Sequence, residues 1–235
     1  MGTLINLLNA QPKLYDGPPR KMDPEFGVAY FDGTRDTGYG GYQYDGRWKP
    51  VSETIVKHYG LDSKSRALDV GCAKGFFIAD LMQVCPGITV YGIDVSEYAI
   101  SNALESAKPF VSLTSADSLD RYPDHSFDFV SAMNTLHFLA PEKAERALHE
   151  IMRIGKDGKY FVQVDAYTNE VERERLLAWA PIIKTVYSVD QWLELFKDVG
   201  YDGDYYWTFV QPVNSSLVNS SLKNEACVIQ KACNG

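Results

Sequence analysis

The stretch Ala67-Leu68-Asp69-Val70-Gly71-Cys72-Ala73-Lys74-Gly75-Phe76 constrains this chain more than any other. An apolar run passes through small residues straight into a helical pattern. Gly71 suits a tight turn, Ala73 lets backbone approach a ligand, and Gly75 lets the helix begin close against a sheet. The free N–H groups at such a helix start favour an anionic group, here a carboxylate. Nineteen residues after Gly75, Tyr91-Gly92-Ile93 ends in Asp94. Its carboxylate is placed to accept hydrogen bonds from two ribose hydroxyls, as a dinucleotide fingerprint also requires.

Around this loop, strands and helices alternate. Arg66–Val70, Ile88–Ile93, Phe110–Ser115, Phe127–Met133 and Lys159–Asp165 read as strands. Helices are expected from Pro50 to a stop at Gly60, over Phe76–Val84, from a Ser96 cap to about Ser106, and over Glu142–Ile154. A further one, Val189–Val199, opens on a Ser188/Gln191 capping box and closes at Gly200. This order predicts an α/β chain: a Rossmann-like, doubly wound, mostly parallel sheet in a three-layer α/β/α stack. Tyr205–Gln211 and Ala226–Lys231, joined by the Asn/Ser-rich stretch at 214–221, predict a C-terminal antiparallel hairpin. Residues 1–50 read as an N-terminal arm followed by an aromatic, glycine-rich segment, and 51–235 as the main domain.

The 235 residues suit one domain, and 45% hydrophobic with 23% charged residues is ordinary for a soluble globular chain. No apolar run reaches the ~20 residues of a membrane span, and the start lacks a secretory pattern. A net charge of −8 speaks against a non-specific nucleic-acid binder. Cys72, Cys85, Cys227 and Cys233 form no CxxC pair, which predicts reduced thiols, no metal site and a cytoplasmic setting. Asn214-Ser215-Ser216 and Asn219-Ser220-Ser221 match a glycosylation pattern but read as polar loop. Oligomeric state is not legible.

From about Val51 to Gln211 the sequence resembles the class I S-adenosylmethionine-dependent methyltransferases. Leu68-Asp69-Val70-Gly71-Cys72-Ala73-Lys74-Gly75 is similar to their first motif, with Ala73 where many members have Gly, and Asp94 to the ribose-binding acid. Ser115-Ala116-Asp117-Ser118 resembles the adenine-contacting segment, and Phe127 to Asn134 the fourth strand. The resemblance implies S-adenosylmethionine as cofactor, held by Asp69, Gly71, Cys72, Ala73, Gly75, Asp94, Val95, Asp117, Ser118 and Asn134. It also implies transfer of a methyl group to an oxygen or nitrogen atom of a small polar metabolite, a sugar or glycan precursor being one candidate. An NAD-dependent oxidoreductase is the rival reading, but its fingerprint asks for glycine at Phe76. A non-catalytic cofactor-binding protein is the third.

Methyl transfer from a sulfonium needs alignment, exclusion of water and a proton acceptor. His137, just past the fourth strand, is a candidate base, or it packs beside the adenosine. Asp165, at the end of the fifth strand, could act as base, orient an amine, or bind a metal with Asn134. Phe26 to Pro50 contains seven aromatics in 25 residues, about twice the chain's own 13%. It reads either as a lid, with Tyr39, Tyr42, Arg47 and Trp48 shaping the acceptor site and Arg35 or Arg47 gripping an acidic acceptor, or as packing over the sheet. Tyr167, Trp179 and Tyr187 fall where such enzymes vary their acceptor pockets.

Overall fold

The computed structural model describes residues 2–213. In chain order its elements are β1 (Lys13–Leu14), α1 (Val28–Asp32), α2 (Lys49–Tyr59), β2 (Arg66–Val70), α3 (Phe76–Val84), β3 (Thr89–Asp94), α4 (Glu97–Ser101), β4 (Val111–Leu113), β5 (Phe129–Met133), α5 (Pro141–Ile154), β6 (Tyr160–Asp165), α6 (Glu170–Trp179), α7 (Val189–Val199), β7 (Asp204–Thr208) and β8 (Val210–Gln211). Six strands form one sheet in the order β4-β3-β2-β5-β6-β7, and every pair in it is parallel. Strand alternation splits the core. Ala67, Phe129 and Phe161 pack with Ile55 of α2 and Phe77 and Leu81 of α3 on one face. Leu68, Val70, Val130 and Val162 pack with Leu148 and Ile151 of α5 and Trp192 and Phe196 of α7 on the other. That is the expected three-layer, doubly wound stack.

Local signals explain the element ends that match. Pro50 opens α2, where a missing N–H costs nothing. Ser188 and Gln191 form both halves of the capping box of α7. α4 is shorter than expected, ending at Ser101 rather than near Ser106. There the Asn102 side chain donates to the Tyr98 carbonyl, and Leu104 N–H leaves the helix for the Lys74 carbonyl. α6 went unforeseen, because Glu-Val-Glu-Arg-Glu-Arg carries no clear apolar face. Asn169 caps it, accepting from the Glu172 N–H.

The strand expected over Tyr205–Gln211 is divided at Phe209. Its first part lies beside β6, and its second part pairs with β1 of the N-terminal arm through Lys13↔Val210 and Leu14↔Gln211. The arm also bridges β7 at Leu4↔Tyr205, in parallel, and so covers the sheet edge. The second hairpin strand, the polar stretch at 214–221, Cys227 and Cys233 lie outside the described residues. Cys72 and Cys85 are free and buried. Among the described residues no helix is long and apolar enough to cross a membrane.

Candidate functional site: a cofactor crevice and an acceptor chamber

The order in which strands are added reverses between β2 and β5, and a crevice opens there beyond the strands' carboxyl ends. β2 runs into the loop 71–75, which is pinned to β3 because Gly71 and Cys72 N–H both donate to the Ile93 carbonyl, at 2.8 and 2.9 Å. Gly71 sits at φ +82°, and a Cβ there would lie 2.1 Å from Thr135 Oγ1. The turn therefore demands glycine for both conformation and space. Ala73 occupies φ +49°, a region where an L-residue is strained. Its N–H donates to Asp94 Oδ2 and that of Ser96 to Oδ1, each at 2.8 Å. Burial pushes the Asp94 carboxyl up, and these backbone hydrogen bonds oppose the shift.

The crevice holds a cavity of about 330 Å³, lined by Gly71, Ala73, Asp94, Val95, Ser115 and Asn134 among others. Phe26, Tyr30, Phe31 and Tyr39 close it from the aromatic segment. That segment is anchored at several points. Lys74 Nζ reaches both oxygens of Asp32 at 2.6 and 2.7 Å, the Tyr98 hydroxyl donates to the same carboxylate at 2.6 Å, and Ser96 Oγ donates to the Phe26 carbonyl at 2.6 Å. Tyr42 stacks on Phe76 at 4.7 Å, bracing the segment against α3.

A second chamber, of about 190 Å³, lies beside the first and shares Tyr30, Tyr39, Asn134 and Phe138 with it. Its floor is Asp165, 1% exposed, whose carboxylate receives Lys13 Nζ at 2.6 and 2.8 Å. His137 lies alongside, with Nε2 3.7 Å from Asp165 Oδ2. His137 Nδ1 accepts the backbone N–H of Asp165 at 3.1 Å. A lone pair at Nδ1 places the ring proton on Nε2, which has no hydrogen-bond partner; neither does the buried Asn134 Oδ1. Burial pushes the imidazole down to about 4, against the pull of Asp165 and with the help of Lys13. His137 thus presents a neutral N–H donor to the chamber. The proton-abstracting role expected of it does not suit this geometry.

Residues 68–163 match the family described as a methyltransferase domain. A chain of the complex between the Haloferax volcanii Trm112 methyltransferase activator and a methyltransferase is 25% identical, with a TM-score of 0.50, covering 66% of this chain and 73% of that one. Residues 68–163 therefore carry a methyltransferase domain, and the likeness supports the class I S-adenosylmethionine-dependent methyltransferases. The chain's cofactor is S-adenosylmethionine. Two curated relatives have different printed activities. The arginine-hydroxylase NDUFAF5 of Rattus norvegicus is 29% identical over 41% of this chain and 27% of its own length. The tRNA N(3)-cytidine methyltransferase METTL6 of Homo sapiens is 29% identical over 60% of this chain and 56% of its own. This chain therefore spans between about a quarter and just over half of the length of these relatives.

The methyltransferase crevice fits this cofactor. The 71–73 backbone, with no side chain at Gly71 and only a methyl at Ala73, could receive the amino-acid end. Asp94 retains lone pairs for the ribose, and Tyr30, Tyr39 and Phe138 offer aromatic faces to a sulfonium. The other expected residues are distributed unevenly. Asp69 lies beneath the loop, accepting from Ser131 Oγ at 2.8 Å. Cys72 is buried toward Gly92, and Gly75 caps α3 with its Cα facing Ala107. Asp117 turns from the cavity to Ser115 Oγ, Arg146 and Lys143, and the exposed Ser118 donates to Asp120; Ser115 and Ala116 line the wall instead. Of Tyr39, Tyr42, Arg47 and Trp48 only Tyr39 lines either chamber, while Arg35 lines the second. Arg47 is 66% exposed and bound to Asp45, because a two-residue local ion pair satisfies it at once. Trp48 packs on Phe77 at the start of α2. Trp179 lines the second chamber, whereas Tyr167 and Tyr187 do not. Lys13, Arg20, Tyr30 and Phe138 were not foreseen as site residues, since nothing local marks a lysine in the arm as a neighbour of β6.

Proposed function

We propose that this protein transfers a methyl group from S-adenosylmethionine to an oxygen or nitrogen atom of a small polar metabolite, with sugars and glycan precursors as the first class to examine. The observation carrying this reading is the wall of Tyr30, Tyr39, Asn134 and Phe138 common to the two chambers. A donor on one side and an acceptor on the other would meet there, sheltered from water. Bound in the crevice, the cofactor supplies a methyl group already activated on a sulfonium. Asn134 and the His137 N–H orient the acceptor. When the acceptor is methylated, the Asp165 carboxylate would take up the proton it releases. A chamber of about 190 Å³ suits a small molecule, or a small part of a larger one, and the charge of −8 favours the former. The buried free thiols of Cys72 and Cys85 accord with a cytoplasmic setting.

Calorimetric titration with S-adenosylhomocysteine and, separately, NADH tests the cofactor. Binding of the first alone is expected, and preference for NADH would return the rival oxidoreductase reading. A metabolite screen for S-adenosylhomocysteine release then tests transfer. Asp165→Asn should lose turnover while keeping cofactor affinity; unchanged turnover removes the proton-acceptor role. No release from any acceptor class leaves the binding-protein reading in place of the enzyme.

A further inference from the structure

Resting on the methyl-transfer reading, we propose that the acceptor carries an oxyanion, a phosphate or a carboxylate, gripped by Arg20 and Arg35 across Trp179 at the mouth of the second chamber. An outer vestibule opens onto this chamber, and the two share Lys13, Arg20, Arg35 and Trp179. The guanidinium carbons of Arg20 and Arg35 lie 4.5 and 5.1 Å from the centroid of the same Trp179 ring. Arg20 is only 6% exposed. Among the described residues neither arginine has a carboxylate within ion-pair distance, although thirteen such pairs form elsewhere.

Arg20 donates to the carbonyls of Trp179, Arg35 and Gly38, and Arg35 to that of Tyr39. Carbonyls satisfy the hydrogen bonds but bring no counter-charge, Asp36 acts on Arg20 only from beyond ion-pair distance, and two like charges over one ring repel. Burial, and then Arg35, push the Arg20 guanidinium down. The third cation, Lys13, is neutralised by Asp165, and Asp36 sits out in the vestibule. The inner chamber thus sets three cations against one carboxylate in a chain that is acidic overall. A second, independent feature points into the same space: the His137 Nε2–H, 1% exposed, has no partner. An oxyanion between the arginines supplies the missing charge, and an acceptor hydroxyl or amine beyond it reaches His137 and Asp165.

Inorganic phosphate and acetate serve as probes, each titrated calorimetrically into the full chain with and without saturating S-adenosylhomocysteine. One of them should bind in the millimolar range or tighter. Arg35→Gln, at an exposed position, should weaken it at least tenfold with an unchanged melting temperature. Arg20→Gln should do so more strongly, although it also removes the struts to α6. Tighter phosphate marks a phosphorylated acceptor and tighter acetate a carboxylate; either supports the site. Binding of neither probe, or binding indifferent to Arg35→Gln, overturns it. So does binding of a short single-stranded RNA that survives Arg35→Gln while phosphate fails, which would place a nucleic-acid surface elsewhere. Loss of S-adenosylhomocysteine binding defeats the methyl-transfer reading instead, and the titrations of the unloaded protein still decide the oxyanion site.

Discussion

His137 Nδ1 accepts the backbone N–H of Asp165 at 3.1 Å, while its Nε2 stands 3.7 Å from the same residue's carboxylate. One residue thus fixes the tautomer of the other and then shares a chamber wall with it. The consequence for activity is specific. His137→Phe, which keeps ring volume but removes the N–H, should lower acceptor kcat/KM by about tenfold, the cost of one lost hydrogen bond. It should leave the pH–rate profile between pH 6 and 8 unchanged, since the wild-type imidazole is held down at about 4. A limb near pH 6.5 that vanishes in the variant would restore the base role to His137.

Stability against pH provides a separate check, because two buried groups titrate in opposite senses. Burial lowers His137 from 6.5 to about 4, so its contribution is complete above the unfolded value and is lost as pH falls through 6.5 toward 4. Burial raises Asp69 from 3.8 to about 7, against the Ser131 hydrogen bond, so its contribution is complete below the unfolded value and is lost as pH rises toward 7. Between the two limits the slopes offset. In urea titrations Asp69→Asn should gain stability relative to wild type as pH rises through this window, by about 1.4 kcal/mol per unit. His137→Phe should show the opposite relative slope. Parallel curves for all three proteins would contradict both assignments.

Gly71→Ala should be among the most damaging single-atom additions in the chain. The new Cβ meets Thr135 Oγ1 at 2.1 Å from a backbone at φ +82°. Strain of about 1–3 kcal/mol should appear as a lower melting temperature, and S-adenosylhomocysteine should bind at least tenfold more weakly. Adding Thr135→Ala removes part of the clash and should recover part of both losses. A Gly71→Ala protein with wild-type affinity would show that the loop does not hold the cofactor.

Two residues of the aromatic segment should behave unlike each other. Arg47→Ala removes an exposed pair with Asp45, a change worth about 0.5 kcal/mol or less, and should leave cofactor and acceptor affinities within twofold. Tyr39→Ala opens the wall between the chambers and should weaken S-adenosylhomocysteine about tenfold by calorimetry, since its ring packs on Tyr30 and Phe31 around the cavity. Equal effects from the two would mean that the segment acts only as packing.

How far the sequence discloses this site follows from what is local. β2, α3 and α7 are readable to their ends because turn, cap and periodicity lie within a few residues of one another. The donor side is readable for the same reason: Gly71 and Asp94 are separated by one βαβ step. The second chamber draws Lys13, Arg35, Asp165 and Trp179 from separate stretches, and no spacing rule connects them. Arg47 looks as available as Arg35 in sequence. It differs only because Asp45, two residues away, captures it. The burial that pushes the His137 imidazole down is likewise set by tertiary packing.

The ladder between Lys13-Leu14 and Val210-Gln211 is just two residues long. Alternation along it sends Lys13 inward to Asp165 and leaves Leu14 half in solvent. A slip of one position would exchange the ammonium for an aliphatic or a pyrrolidine group and strand the carboxylate without its counter-ion. This two-residue ladder therefore acts as the alignment pin that keeps Lys13 on Asp165.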